Sequence, residues 1–173
     1  MENRKYLFSW DLLGDIAVGR PNLGQVTRIE LYRLMQYTFR DVIEEKFGTE
    51  KADEIFYESG KLAGREFYKN IIGKINDFHE FIRKLQESFR ELRLGILRVE
   101  KADIDQGSFV MTIDEDLDCS GLPESDHEIC KYDEGFIAAL MESFFSGRQF
   151  HVKEVDCWCT GDRTCRFTAE VVV

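Results

Sequence analysis

The chain has only 2 prolines in 173 residues and no long apolar run. So little proline argues against long structureless linkers, and no hydrophobic stretch approaches the roughly 20 residues that a membrane-spanning helix needs. The first thirty residues lack the basic, apolar and small-residue progression of an export signal, which predicts a cytoplasmic location. Positive charge is short too: 23 Lys and Arg against 33 Asp and Glu leave a net charge of −10. An acidic surface repels phosphate backbones, so direct nucleic-acid binding is not expected, and the partners should be small molecules or proteins. No dinucleotide glycine fingerprint, nucleophile elbow, internal repeat or low-complexity segment is present, so nothing in the pattern marks the chain as an enzyme by itself.

What is present is a packable core. Hydrophobic residues make up 43% of the chain, with 14 Phe among them, in a length that suits one domain. Residues 1–26 read as an N-terminal arm punctuated by Gly14, Gly19, Pro21 and Gly24, and residues 27–173 as a single domain. Thr27 and Glu30 have the spacing of a capping box opening a helix to about Phe47. A second helix is predicted from Thr49, as its cap, to about Ile72. It contains Gly60 and Gly64, whose cost in a helix interior points to close packing against a neighbour. A third, from Asn76, carries the cleanest apolar stripe, with Phe78, Phe81, Ile82, Leu85, Phe89 and Leu92 at helical spacing. His79 falls off that stripe and reads as a surface residue. The period then changes to two around Leu97, Val99, Phe109, Met111 and Ile113, and again around Phe150, Val152, Phe167, Ala169 and Val171. Between these pairs lie an acidic loop, 114–129, and a helix capped by Asp133. The expected class is α+β, an antiparallel sheet of about four strands packed against helices.

Four of the five cysteines fall between Cys130 and Cys165. Cys157 and Cys165 flank a Gly161-Asp162 turn signal that would bring their sulfurs together. With Cys130, and with Glu154 or Cys159, they supply the four soft or borderline ligands of a tetrahedral zinc. Cys119 and His127, in the acidic loop, are further candidates. Against the metal stand two other readings, buried cysteines serving as small core residues and a Cys157–Cys165 disulfide. Glu154 and Cys157 are three apart and would face opposite sides of a regular strand, so joint ligation requires a bulge or the start of a turn between them.

The spacing Cys130-x4-Gly135-Phe136, followed by Glu154-x2-Cys157-x3-Gly161-Asp162-x2-Cys165-x-Phe167, resembles the C-terminal signature of the 4-vinyl-reductase domain family. Sensor domains of phenol- and xylene-responsive transcriptional activators share that signature. Arg20 to Gly24, Tyr32 to Leu34, Gly60 and Gly64 are similar to the family's N-terminal half. The resemblance implies a zinc held by Cys130, Glu154, Cys157 and Cys165. It also implies the fold of the ligand-binding domains of nitric-oxide signalling and Golgi transport proteins, and a homodimer formed through N-terminal helices.

Three functions follow as expectations. The first is a sensor or binder of a hydrocarbon or aromatic molecule, in a pocket lined by Phe78, Phe81, Phe109, Met111, Phe136 and Leu140, with the zinc as a structural brace. The second is an accessory subunit of a vinyl-group reductase. The third is a zinc-stabilised protein-interaction module. With neither a DNA-binding segment nor an ATPase domain in the sequence, a signal would have to pass through a partner.

Overall fold

A computed structural model describes residues 5–172 of the chain. Five helices and four strands follow in the order α1 (Ile16–Gly19), α2 (Ile29–Phe47), α3 (Thr49–Phe67), α4 (Phe78–Glu91), β1 (Ile96–Asp103), β2 (Ser108–Asp114), α5 (Lys131–Phe144), β3 (Gln149–Asp156) and β4 (Cys165–Val172). The strands form one antiparallel sheet in the order β1-β2-β4-β3, so the expected α+β class with a four-stranded antiparallel sheet holds. Among the described residues no helix is long and apolar enough to cross a membrane.

The helix starts depart from the expected caps. Arg28, not Thr27, is the N-cap of α2, with no side-chain capping bond, and its guanidinium pairs with Glu30. The Thr27–Glu30 capping box does not form, because the helix starts one residue later and puts Arg28 rather than Thr27 in the N-cap position. Gly48, at φ 81°, both ends α2 and precedes α3, leaving Thr49 as the first helical residue. Side chains cap α1, where Asp15 accepts the Val18 amide at 3.0 Å, and α4, which starts at Phe78, two residues later than expected, with Asp77 accepting the Glu80 amide at 2.8 Å. α5 begins at Lys131 with Cys130 in the N-cap position, so Asp133 lies inside the first turn. His79 is exposed, as expected.

Helix α5 is the centre of the architecture. It packs on α3 along one side and on β3 and β4 along the other, and Glu134 to Met141 are buried. Close approach of α3 and α5 requires glycine at three places. A Cβ on Gly60 or Gly135 would collide with the backbone of the facing helix, at Tyr132 and at Tyr57 respectively, and one on Gly64 would meet Ala139 Cβ at 2.9 Å. The two interior glycines of α3 therefore give up helix propensity to bring two backbones together. Buried Arg40 ties α2 to α3, its Nη2 at 2.5 Å from Asp53 and its Nε at 2.7 Å from Glu44.

Between the sheet and α4 and α5 lies a close-packed aromatic cluster. Phe81 stacks on Phe144 with centroids 4.5 Å apart, and Phe78 lies 5.5 Å from Phe109. Phe109 meets Phe145 at 5.5 Å and Phe150 at 6.0 Å. Offset and edge contacts of this kind fill space at crystal-like density.

Candidate metal centre and cavity

Four buried thiols converge where the loop after β2, the start of α5, the end of β3 and the start of β4 meet. The Sγ atoms of Cys119, Cys130, Cys157 and Cys165 all lie within 4.8 Å of one another. Cys130 is 3.9 Å from both Cys157 and Cys165, and Cys119 is 3.1 Å from Cys165. A tetrahedral zinc with Zn–S bonds of about 2.3 Å has S···S edges of about 3.8 Å, so this donor set fits such an ion in number, chemistry and spacing. All five cysteines are free thiols, so Cys157 and Cys165 are not joined in a disulfide.

Each thiol is held by backbone geometry. Cys130 is the N-cap of α5, and its amide donates to Glu154 Oε2 at 3.2 Å. Cys157 follows β3, where a register shift between Glu154 and Asp156 supplies the bulge that the sequence spacing requires. Its carbonyl accepts the amides of Thr160 and Asp162, closing a tight turn through Gly161 at φ 98°. Cys165 opens β4 opposite Ile113. Cys119 is placed from far along the chain. The Arg33 guanidinium donates to the carbonyls of Asp116, Leu117 and Ser120, Tyr37 donates to the Asp118 carbonyl, and Asp116 Oδ1 accepts the amides of Asp118 and Cys119.

Of the four ligands that the resemblance implies, the structure brings Cys130, Cys157 and Cys165 together and sets Glu154 at their edge. The Glu154 side chain is fully buried, with Oε2 on the Cys130 amide and Oε1 without a hydrogen-bond partner. Burial, and then the charge of Cys157, push its carboxyl up to about 9. In the thiol cluster Cys157 is drawn far below the usual thiol range by hydrogen bonds from Cys119, Cys130 and Cys165, while Cys130 is pushed well above it. Cys159 is buried outside the four-thiol group, and His127 points to solvent beside Asp126.

A cavity of about 480 Å³ lies next to this centre. Its walls are Phe67 and Ile71 from α3 and the turn after it, Phe89 from α4, Ile113 from β2, and Tyr132 and Phe136 from α5. Phe8, Trp10 and Leu13 of the N-terminal arm cover it from outside, and the Trp10 amide anchors on Glu66 at 3.1 Å. The turn after α3 is a π-helix, Tyr68–Ile72, a widened geometry that recurs at functional sites. Asp116, Asp118 and Asp133 border the cavity on the side of the thiols. Burial, then the neighbouring Asp118, raise Asp116 to about 7.

The six residues expected to line a pocket divide here. Phe136 faces the cavity, in edge contact with Phe67 at 5.2 Å. Phe78, Phe81, Phe109, Met111 and Leu140 are instead buried in the close-packed core and do not border it. The sequence pattern marked apolar faces correctly but could not show which interface stays open. Cavity residues that it missed include Phe67 and Phe89, both visible only as members of apolar helical stripes.

The model of the V4R domain matches residues 109–171. An uncharacterized protein of Methanocaldococcus jannaschii is 24% identical over 150 residues, covering 87% of this chain and 81% of that protein. The fold is similar to that of the phenol-responsive sensory domain of the transcription activator PoxR, with a TM-score of 0.67 at 12% identity, covering 86% of this chain and 76% of that one. A vinyl-4-reductase family protein from Methanocaldococcus jannaschii aligns with a TM-score of 0.64 at 16% identity over 99% of this chain and 100% of its own. A trafficking protein particle complex subunit 3 from Naegleria fowleri, covalently bound to palmitic acid, gives 0.64 at 12% identity, over 84% and 95%. These likenesses establish a shared fold, and the segment matched by the family model holds all five cysteines. Over residues 109–171 the chain is thus similar to the V4R domain.

Proposed function

We propose that the protein is a small-molecule binding or sensing domain for an apolar or aromatic ligand, braced by a structural zinc. The observation that carries this reading is the cavity of about 480 Å³, apolar on most of its wall, within the size range of small-molecule sites. Phenol in the PoxR sensory domain and palmitic acid in the trafficking subunit support the ligand class, since both structures share this fold. Zinc, held by Cys119, Cys130, Cys157 and Cys165, would supply a fixed cross-link between loop, helix and strands with no open coordination position. Helix α5 then joins metal and cavity directly, because Cys130 caps it and Tyr132 and Phe136 form part of the cavity wall.

A thermal-shift screen of aromatic and isoprenoid compounds tests the reading. Ligands that bind only the folded state raise Tm in proportion to the logarithm of their concentration. Ala63 of α3 also lines the cavity, and filling the space with Ala63→Trp should abolish the shift while leaving the protein folded. Shifts of equal size in that variant would place the binding elsewhere.

The proposed quaternary state is a homodimer through α2. Leu31, Leu34, Met35, Phe39 and Val42 form an exposed stripe at helical spacing, with Phe39 at 61% exposure. An apolar face of this extent on a charged chain calls for a cover, and a second copy offers the same face in a two-fold arrangement. Light scattering should find twice the chain mass for the native protein and a monomer for Leu34→Glu/Phe39→Glu. A native monomer at micromolar concentration would refute the dimer.

A further inference from the structure

Most of the cavity wall is apolar; Glu66 lies on it and holds the Trp10 amide, and at one end three further carboxyl groups meet. Asp116 and Asp118 are 3% and 4% exposed. Asp118 is fully engaged, accepting from Tyr32 Oη at 2.8 Å and from Gln36 Nε2 at 2.7 Å. The hydrogen bonds to Asp116 are amide bonds to Oδ1 alone. Asp133 Oδ2 is buried with no hydrogen-bond partner. A carboxylate oxygen of Asp116 and one of Asp133 lie within 4.8 Å of each other.

Among the described residues no Lys, Arg or His pairs with either of these two carboxyl groups. The nearby guanidinium of Arg33 donates to backbone carbonyls instead. Buried carboxyl oxygens without a donor are costly, and a neighbouring carboxyl group adds to the cost. Two oxygens no more than 4.8 Å apart can both sit about 2.8 Å from one nitrogen, so a single ammonium can donate to both.

We propose that this end of the cavity recognises the cationic amine head of a ligand whose aromatic or aliphatic body fills the apolar part. The proposal rests on the reading of the cavity as a small-molecule site and narrows its ligand class. Asp133 and Asp116 take the ammonium, and Phe67, Phe89, Ile113 and Phe136 take the body. A carboxylate ligand of the same shape adds acceptors where donors are already lacking, and a neutral hydrocarbon leaves the Asp133 oxygen unpaired.

The test is a titration of the zinc-loaded protein, followed by intrinsic tryptophan fluorescence, with four probes of one shape: 4-phenylbutylamine, 4-phenylbutanol, butylbenzene and 4-phenylbutanoate. The amine should bind at least about tenfold more tightly than butylbenzene or the alcohol, and the carboxylate most weakly. Asp133→Asn should cut the amine's advantage over butylbenzene to within about threefold. Should that variant not fold, the four-probe series on the native protein decides the matter by itself. Binding of butylbenzene or the alcohol as tightly as the amine overturns the amine assignment and leaves the cavity as a small-molecule site. Failure of all four to bind overturns both.

Discussion

Cys157→Ser should abolish zinc retention and lower Tm by about 10 °C. The reason is that the thiol cluster would cross-link four segments at one buried point. Cys119 is on a loop, Cys130 on a helix cap, and Cys157 and Cys165 on either side of the β3–β4 turn. Without an ion, four buried thiols give little cohesion. With one, the metal-binding free energy becomes folding free energy. Cys119→Ser should behave like Cys157→Ser, because its sulfur belongs to the same mutual group. Glu154→Gln should keep the zinc, since its proposed role is the hydrogen bond to the Cys130 amide, which an amide oxygen preserves. Cys159→Ser should also keep it. Metal analysis of the purified variants checks all four, and retention in Cys119→Ser with loss in Glu154→Gln would restore the carboxylate as the fourth ligand.

Gly135→Ala is expected to be nearly as damaging for a different reason. The added methyl group would overlap the backbone carbonyl of Tyr57, and backbone on the facing helix cannot turn aside as a flexible side chain can. The helices would have to separate, at a cost of about 3 kcal/mol, near the top of the range for overpacking. That corresponds to a fall in Tm of about 6–12 °C for a domain of this length. Because α5 carries Cys130 at its start and Phe136 in the cavity wall, the same shift should weaken zinc retention and ligand binding. Calorimetric unfolding of Gly135→Ala, compared with an alanine at Gly121, where a Cβ meets no neighbour, separates packing from backbone conformation. Equal losses at the two sites would contradict the packing account.

Much of this molecule can be read along the chain because local periodicity carries the information. The stripe of α4 and the alternation of β2, β3 and β4 reflect burial of one face, which each segment encodes by itself. Gly60 and Gly64 stood out for the same reason, as residues unfavourable to the helix that contains them. The bulge between Glu154 and Asp156 was inferable from the conflict between a three-residue spacing and a two-residue period. Cys119 was not legible as a central thiol, since its position depends on Arg33 and Tyr37, more than eighty residues earlier, holding an irregular loop. The cavity was not legible for a related reason. Phe78 and Phe89 occupy one stripe, yet Phe78 meets Phe109 in solid packing while Phe89 borders open space, and only the relative placement of α3, α4, β2 and the N-terminal arm decides which.

The central claim, that the cavity beside the thiol centre is a binding site for an apolar molecule, is tested most directly by titration calorimetry of the zinc-loaded protein with an apolar aromatic compound at two temperatures. The account predicts saturable binding at about one site per chain, with a negative heat-capacity change from burial of apolar surface, and loss of that binding in Ala63→Trp. Absence of saturable heat from any apolar ligand in folded, zinc-loaded protein, or undiminished binding in Ala63→Trp, would contradict it.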